Sequence, residues 1–171
     1  MTRPKFSPVI QAAVRQRAQF LCEYCHAAEQ WQYAPFTLDH IIPLMKVGGD
    51  DSLDNLALAC FPCNRHKSAR QVSLDPFTQQ SVARFNPRKQ AWSDHFIWSM
   101  DYLTLIGQSA TGRATIEQLK LNRARLPAIR AADLVVNRHP PTDDPIQSRT
   151  KPSTLHHRFF GSGFPRNDLG R

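Results

Sequence analysis

The sequence predicts an α+β chain, with a small core that reads helix, strand, loop, strand, helix and an α-rich extension that follows it. Three observations carry this. Two Cys-x-x-Cys pairs, Cys22-Glu-Tyr-Cys25 and Cys60-Phe-Pro-Cys63, account for every cysteine and bracket the core. Between them a β-prone run from Phe36 to Ile42 is stopped by Pro43 and answered by a second apolar run over residues 56–60. Ahead of them, Ser7 and Pro8 read as an N-cap and a first helical residue, with Val9, Ile10, Ala13, Val14, Ala18 and Leu21 at helical spacing.

The first helix is expected to deliver the chain to Cys22. The turn-rich stretch from Gly48 to Asn55 links the two strands, and the polar segment 64–70 predicts a short helix after Cys63. Residues 1–75 form the core in this reading. Residues 76–136 form an extension with a helix around 114–125, broken by Pro127 and resumed to Val136. Within it, Trp92, Phe96 and Trp98 are expected to pack over the core, and His95 to be a satisfied structural histidine. From Asn137 the character changes: five of the 13 prolines and three of the 7 glycines fall in the last 35 residues, which predicts a disordered basic tail.

At 171 residues the chain fits one modest domain, or one with a tail, and excludes a multidomain machine. Its formal charge of +8 favours polyanionic partners, nucleic acid first. No stretch approaches the roughly 20 apolar residues of a spanning helix, and the N-terminus lacks the apolar run of a secretory signal. These points predict a cytoplasmic protein with no membrane partner. In a reducing compartment, four cysteines are metal ligands or redox groups before they are disulfides. A redox dithiol needs a single pair near a βαβ pattern, which the sequence lacks. Four thiolates fill every position around a tetrahedral Zn²⁺, so Cys22, Cys25, Cys60 and Cys63 predict a structural zinc site.

The 34 residues between the pairs exceed the usual spacing of a compact zinc ribbon, and they hold Asp39-His40-Ile41-Ile42-Pro43, Gly48-Gly49-Asp50 and Asp54-Asn55-Leu56. Asn64 and Lys67 follow the last cysteine directly. This order, within 46 residues, resembles the HNH endonuclease family. The resemblance extends through Phe85-Asn86-Pro87-Arg88, Trp92-x-Asp94-His95-Phe96 and Gly112-Arg113-Ala114-Thr115, covering roughly residues 7–135. It implies a ββα-metal core, two antiparallel strands and a helix around one divalent ion.

The residue types suit that chemistry. Phosphodiester hydrolysis needs a base for the attacking water, a cation on the phosphate and a means to carry charge on the leaving oxygen. An imidazole can accept a proton near neutrality, and a carboxylate is a hard metal ligand. Neighbours on a strand face opposite ways, so both can serve one centre only where the strand bends or ends. The resemblance implies His40 as general base, Asn55 as the group hydrogen-bonded to its imidazole, and Asp39 and Asn64 as ligands of the catalytic ion. Many members have His where this chain has Asn64. An amide oxygen is harder than imidazole and favours Mg²⁺ or Mn²⁺.

Lys67, at i+3 from Asn64, is suited to hold a phosphate or the developing charge, and Arg65 and Arg70 add positive charge for nucleic acid. His66 should face away from Asn64. His26 beside the first pair is a spare ligand at most, and His156 and His157 lack partners for a metal site. The leading expectation is a metal-dependent DNA endonuclease without an organic cofactor. The alternative is a catalytically silent zinc module that binds nucleic acid. Oligomeric state is silent in the sequence.

Overall fold

The computed structural model describes residues 6–141. Helix α1 (Pro8–Arg17) starts as expected, with the Ser7 hydroxyl accepting from the Ile10 amide and Pro8 in the first turn. It stops sooner than the apolar spacing predicts. Ala18 caps it, and Gln19 and Phe20 then adopt positive φ. That left-handed pair turns the chain so that Leu21 bridges Ala28 across the first cysteine pair. Leu21 is therefore buried by the knuckle rather than by a helical face.

Strand β1 (Thr37–His40) and strand β2 (Leu56–Ala59) pair antiparallel, with Asp39 opposite Ala57 and His40 opposite Leu56. Every residue of β2 is fully buried, because α1 lies over it. An uninterrupted apolar run is what a strand covered on both faces requires. The strap is polar as well: Arg17, in the last turn of α1, donates to the carbonyls of Leu53 and Leu56 at 2.8 and 2.6 Å. Helix α2 (Phe61–Lys67) begins earlier than the polar segment suggested, because Pro62 fits the first turn of a helix. It ends at Ser68, where φ is positive.

The extension is less helical than expected. Two short antiparallel hairpins precede or punctuate it, β3 (Val72–Leu74) with β4 (Ser81–Ala83), and β5 (Phe96–Trp98) with β6 (Leu105–Gly107). Their three-residue strands are too short for period-two patterning to register. Helix α3 (Ala110–Leu119) closes at a left-handed Lys120, and helix α4 (Arg125–Val135) follows. Pro127 thus sits in the first turn of α4, where its missing N–H costs nothing, and the break falls before it. Gly112 is required in α3, since a Cβ there would overlap the His95 carbonyl oxygen.

One hydrophobic cluster runs from Val14 and Ala18 through β2 to Trp92, Phe96, Trp98, Leu119 and Leu121. The aromatic residues expected to cover the core do so: the Trp92 indole donates to the Tyr24 carbonyl at 3.0 Å and packs against both Phe96 and Trp98. Among the described residues no helix is long and apolar enough to cross a membrane. Of the tail expected from Asn137, residues 137–141 fold back, with Arg138 over the Trp31 ring and His139 edge-on to Trp98. The rest of it, His156 and His157 included, lies outside the described residues.

Candidate active site and metal centre

The two cysteine pairs converge. In the first, the Cys22 amide donates to the Ala27 carbonyl and the His26 amide to the Cys22 carbonyl, a turn closed by positive φ at His26. In the second, Cys60 precedes the first turn of α2 and Cys63 lies inside it. All four sulfurs are buried and lie within 4.8 Å of one another. Cys25 and Cys60 are 3.7 Å apart, against an edge of about 3.8 Å for a tetrahedron with zinc–sulfur bonds of about 2.3 Å. The same separation is far too long for a disulfide, and the four thiols are free.

Burial pushes the Cys22 thiol up and hydrogen bonds from its neighbours hold Cys63 up, while bonds from the other three sulfurs hold Cys25 down. Four buried sulfurs this close together form a donor set that suits a thiophilic cation. His26 is not part of it. Its ring stacks on Trp92 at 4.1 Å.

The first pair also reaches the strand that carries Asp39 and His40. Tyr24, between Cys22 and Cys25, donates its hydroxyl to Asp39 Oδ2 at 2.8 Å. Lys67 Nζ approaches the same oxygen at 3.2 Å and donates to the His40 carbonyl at 2.6 Å. Burial pushes the Asp39 carboxyl up and the Lys67 ammonium down, each resisted by the charge of the other. Arg84, from the extension, is buried beside them and donates to the carbonyls of Ile41, Lys67 and Arg70. Lys67, expected to hold a phosphate or the developing charge, is 1% exposed and pairs with Asp39.

Strand β1 ends at His40, and Asp39 and His40 both reach the same groove. Asp39, His40, Asn64 and Lys67 all border one open groove of about 1180 Å³, together with Pro43, Leu44 and Met45. Asp39 Oδ1 makes no hydrogen bond among the described residues, whereas Oδ2 is held by Tyr24 and Lys67. Asn64 donates through Nδ2 to the Thr37 hydroxyl at 2.9 Å, which leaves its carbonyl oxygen as the outward group.

Asn55 does not bond the His40 imidazole, as had been expected. Its Oδ1 accepts from the Ile42 amide at 2.8 Å, and its Nδ2 donates to the carbonyls of Ile42 and Asp50, both at 2.9 Å. A buried amide opposite two ends of a loop is satisfied most completely by the loop backbone. Asn55 therefore fixes the segment 42–50. His40 Nε2 instead lies 2.6 Å from Asp51 Oδ1.

Tyr24, Asp51 and Arg84 were not singled out in the sequence. A tyrosine inside a buried knuckle was the one available signal for the first, and the doubled acid Asp50-Asp51 for the second. Arg84 gave none. Arg65 and Arg70 are exposed, as expected of cations that meet a partner. His66 faces away from the groove; burial lowers its proton affinity, as do Lys120, Arg123 and Arg65 nearby. His95 Nδ1 lies 2.6 Å from the Ser109 hydroxyl, a structural contact.

The family model described as HNH endonuclease matches residues 21–70. No curated protein and no solved structure matches the chain. The matched span holds both cysteine pairs, β1, β2 and α2, and with them Asp39, His40, Asn55 and Asn64. Over residues 21–70 the chain thus resembles the HNH endonuclease family, in a stretch that holds the four-cysteine cluster.

Proposed function

We propose that this protein is a metal-dependent DNA endonuclease. The observation that carries the proposal is the meeting of Asp39, His40 and Asn64 at one open groove, beside a carboxylate oxygen without a hydrogen-bond partner among the described residues. Asp39 Oδ1 and the Asn64 carbonyl are two hard oxygen donors, which suit Mg²⁺ or Mn²⁺. Such an ion, when bound, neutralises the scissile phosphate and the charge that grows on the leaving oxygen.

The chain's own groups do the rest. His40, at the end of β1, takes the proton of the attacking water, and Asp51 at Nε2 holds the ring in place. Asn55 keeps the loop that carries Asp50 and Asp51 in place. Lys67 and Tyr24 share Asp39 Oδ2, which orients the carboxylate with its other oxygen toward the groove. Zinc on Cys22, Cys25, Cys60 and Cys63 is structural, because four sulfurs leave no position for water or substrate. Arg65 and Arg70 meet the DNA backbone, and residues 76–136 act as a packing extension rather than a second catalytic unit.

Supercoiled plasmid incubated with the protein and Mg²⁺ or Mn²⁺ tests this reading. Nicked or linear product from the wild type and none from His40→Ala is the expected result. If neither protein changes the plasmid at low salt with either ion, the chain is a silent zinc module and the catalytic assignment is wrong.

A further inference from the structure

A second groove, of about 620 Å³, lies on the other side of α2 and is bordered by Arg65, His66, Arg70 and Lys120, with Glu117 as its one acid. Three fixed cations against one carboxylate leave a net +2. Arg65, Arg70 and Lys120 are exposed, and Lys120 comes from the left-handed end of α3, far along the chain from the other two. Nothing in the family match reaches Lys120, since the match ends at residue 70. The two grooves are joined: Ser68, at the end of α2, borders both.

We infer that this second groove holds phosphates of the same DNA strand that enters the catalytic groove, so that the backbone crosses α2 over Ser68. The inference rests on the endonuclease reading for the path of that strand. Repeated phosphates spaced along a polymer suit cations drawn from α2 and α3, whereas a compact anion would engage only one of the two elements. The groove therefore contributes affinity and the direction of the strand, and it contributes nothing to the reacting atoms.

The test is binding of a fluorescent DNA duplex by the full chain in buffer without added divalent ions, so that no strand is cut. Wild type is compared with the double variant Arg70→Gln, Lys120→Gln from 50 to 200 mM NaCl. Both side chains are exposed, and unchanged circular dichroism and zinc content confirm the fold. Loss of two phosphate contacts makes the slope of log affinity against log salt shallower by about 1.8, so the wild type's advantage shrinks about 12-fold over that range. Equal slopes overturn the inference, and so does a wild type that does not bind DNA. Plasmid cleavage is scored separately: binding with the altered slope but no cleavage refutes the endonuclease reading and leaves the groove standing, whereas cleavage with equal slopes does the reverse.

Discussion

Tyr24 donates its hydroxyl to Asp39 Oδ2 at 2.8 Å, so a residue held between two clustered cysteines grips a carboxylate at the edge of the groove. Burial, followed by the nearby Asp39 charge, pushes the Tyr24 hydroxyl well above its ordinary range, and it remains a donor at any working pH. Tyr24→Phe removes this bond and nothing else. The expected cost is about 1–3 kcal/mol of stability, typical of a buried bond to a charged group. Cleavage should fall while zinc content stays at the wild-type value. Urea denaturation with metal analysis checks both, and a variant as stable and as active as the wild type would show that the contact is idle.

On the endonuclease reading, the same link should make zinc a requirement for activity without making it a reagent. Cys60→Ser should lose the metal and the near-ultraviolet signal of Trp92 together, because metal binding and local folding are coupled. Trp92 reports on this directly through its bond to the Tyr24 carbonyl. Zinc-free protein with an unaltered spectrum and full cleavage would contradict the structural role.

Asp51 lies 2.6 Å from His40 Nε2 on a side chain that is half exposed. Asp51→Asn keeps a hydrogen-bonding oxygen but removes the carboxylate that holds the ring. Cleavage rate is expected to fall on the order of tenfold, a fraction of what a positioned general base contributes. DNA affinity measured without divalent ions should not move. A drop in affinity with an intact rate would assign Asp51 to binding.

The extension is tied to the core by Asp75, whose two oxygens accept from Arg113 Nε and Nη2 at 2.8 and 2.7 Å. The Arg113 guanidinium, with Thr78 and the Phe77 amide, holds this carboxyl well below the usual carboxylate range. A folded-state value below the unfolded one means that the contribution is complete above about pH 4 and is lost as pH falls further. Asp75→Asn should therefore lower the melting temperature at pH 7 and lose less on acidification than the wild type. Parallel melting curves from pH 7 to pH 3 would refute this.

Lys67 and Asp39 are both buried, so removing one strands the other. Lys67→Met should cost about 3–5 kcal/mol, because it leaves an uncompensated carboxylate. Restoring full stability with the pair Lys67→Met, Asp39→Leu would confirm that the penalty is electrostatic. A single variant that unfolds at the wild-type urea concentration would show that the ammonium is dispensable to the fold.

Much of the core was legible because its determinants are local. Cysteine spacing placed the cluster, the β-prone run and its Pro43 stop placed β1, and the apolar run before Cys60 placed β2. The contacts that refine the site are not local. Arg84 reaches carbonyls at Ile41, Lys67 and Arg70, and a lone arginine in a basic chain carries no sign of burial. Asn55 was read as a partner for His40 because it belongs to the same motif, but the loop backbone offered its amide a fuller set of partners. The hairpins of the extension escaped for want of length, and Pro127 misled because a proline early in a helix and one that ends it look the same in sequence.

Glu23, also between the first two cysteines, accepts from the Leu58 amide and pairs with Arg88 of the extension. Beside it Tyr24 faces Asp39 with its hydroxyl and Trp92 with its carbonyl. A two-residue insert thus answers to cysteine cluster, strand and extension at once. A shortened form cut after residue 75 would lose Arg84, Arg88 and Trp92 in one stroke, so the stretch that matches the family model is a poor portable module by itself. Any engineered fusion should carry residues 6–141 as a single cassette.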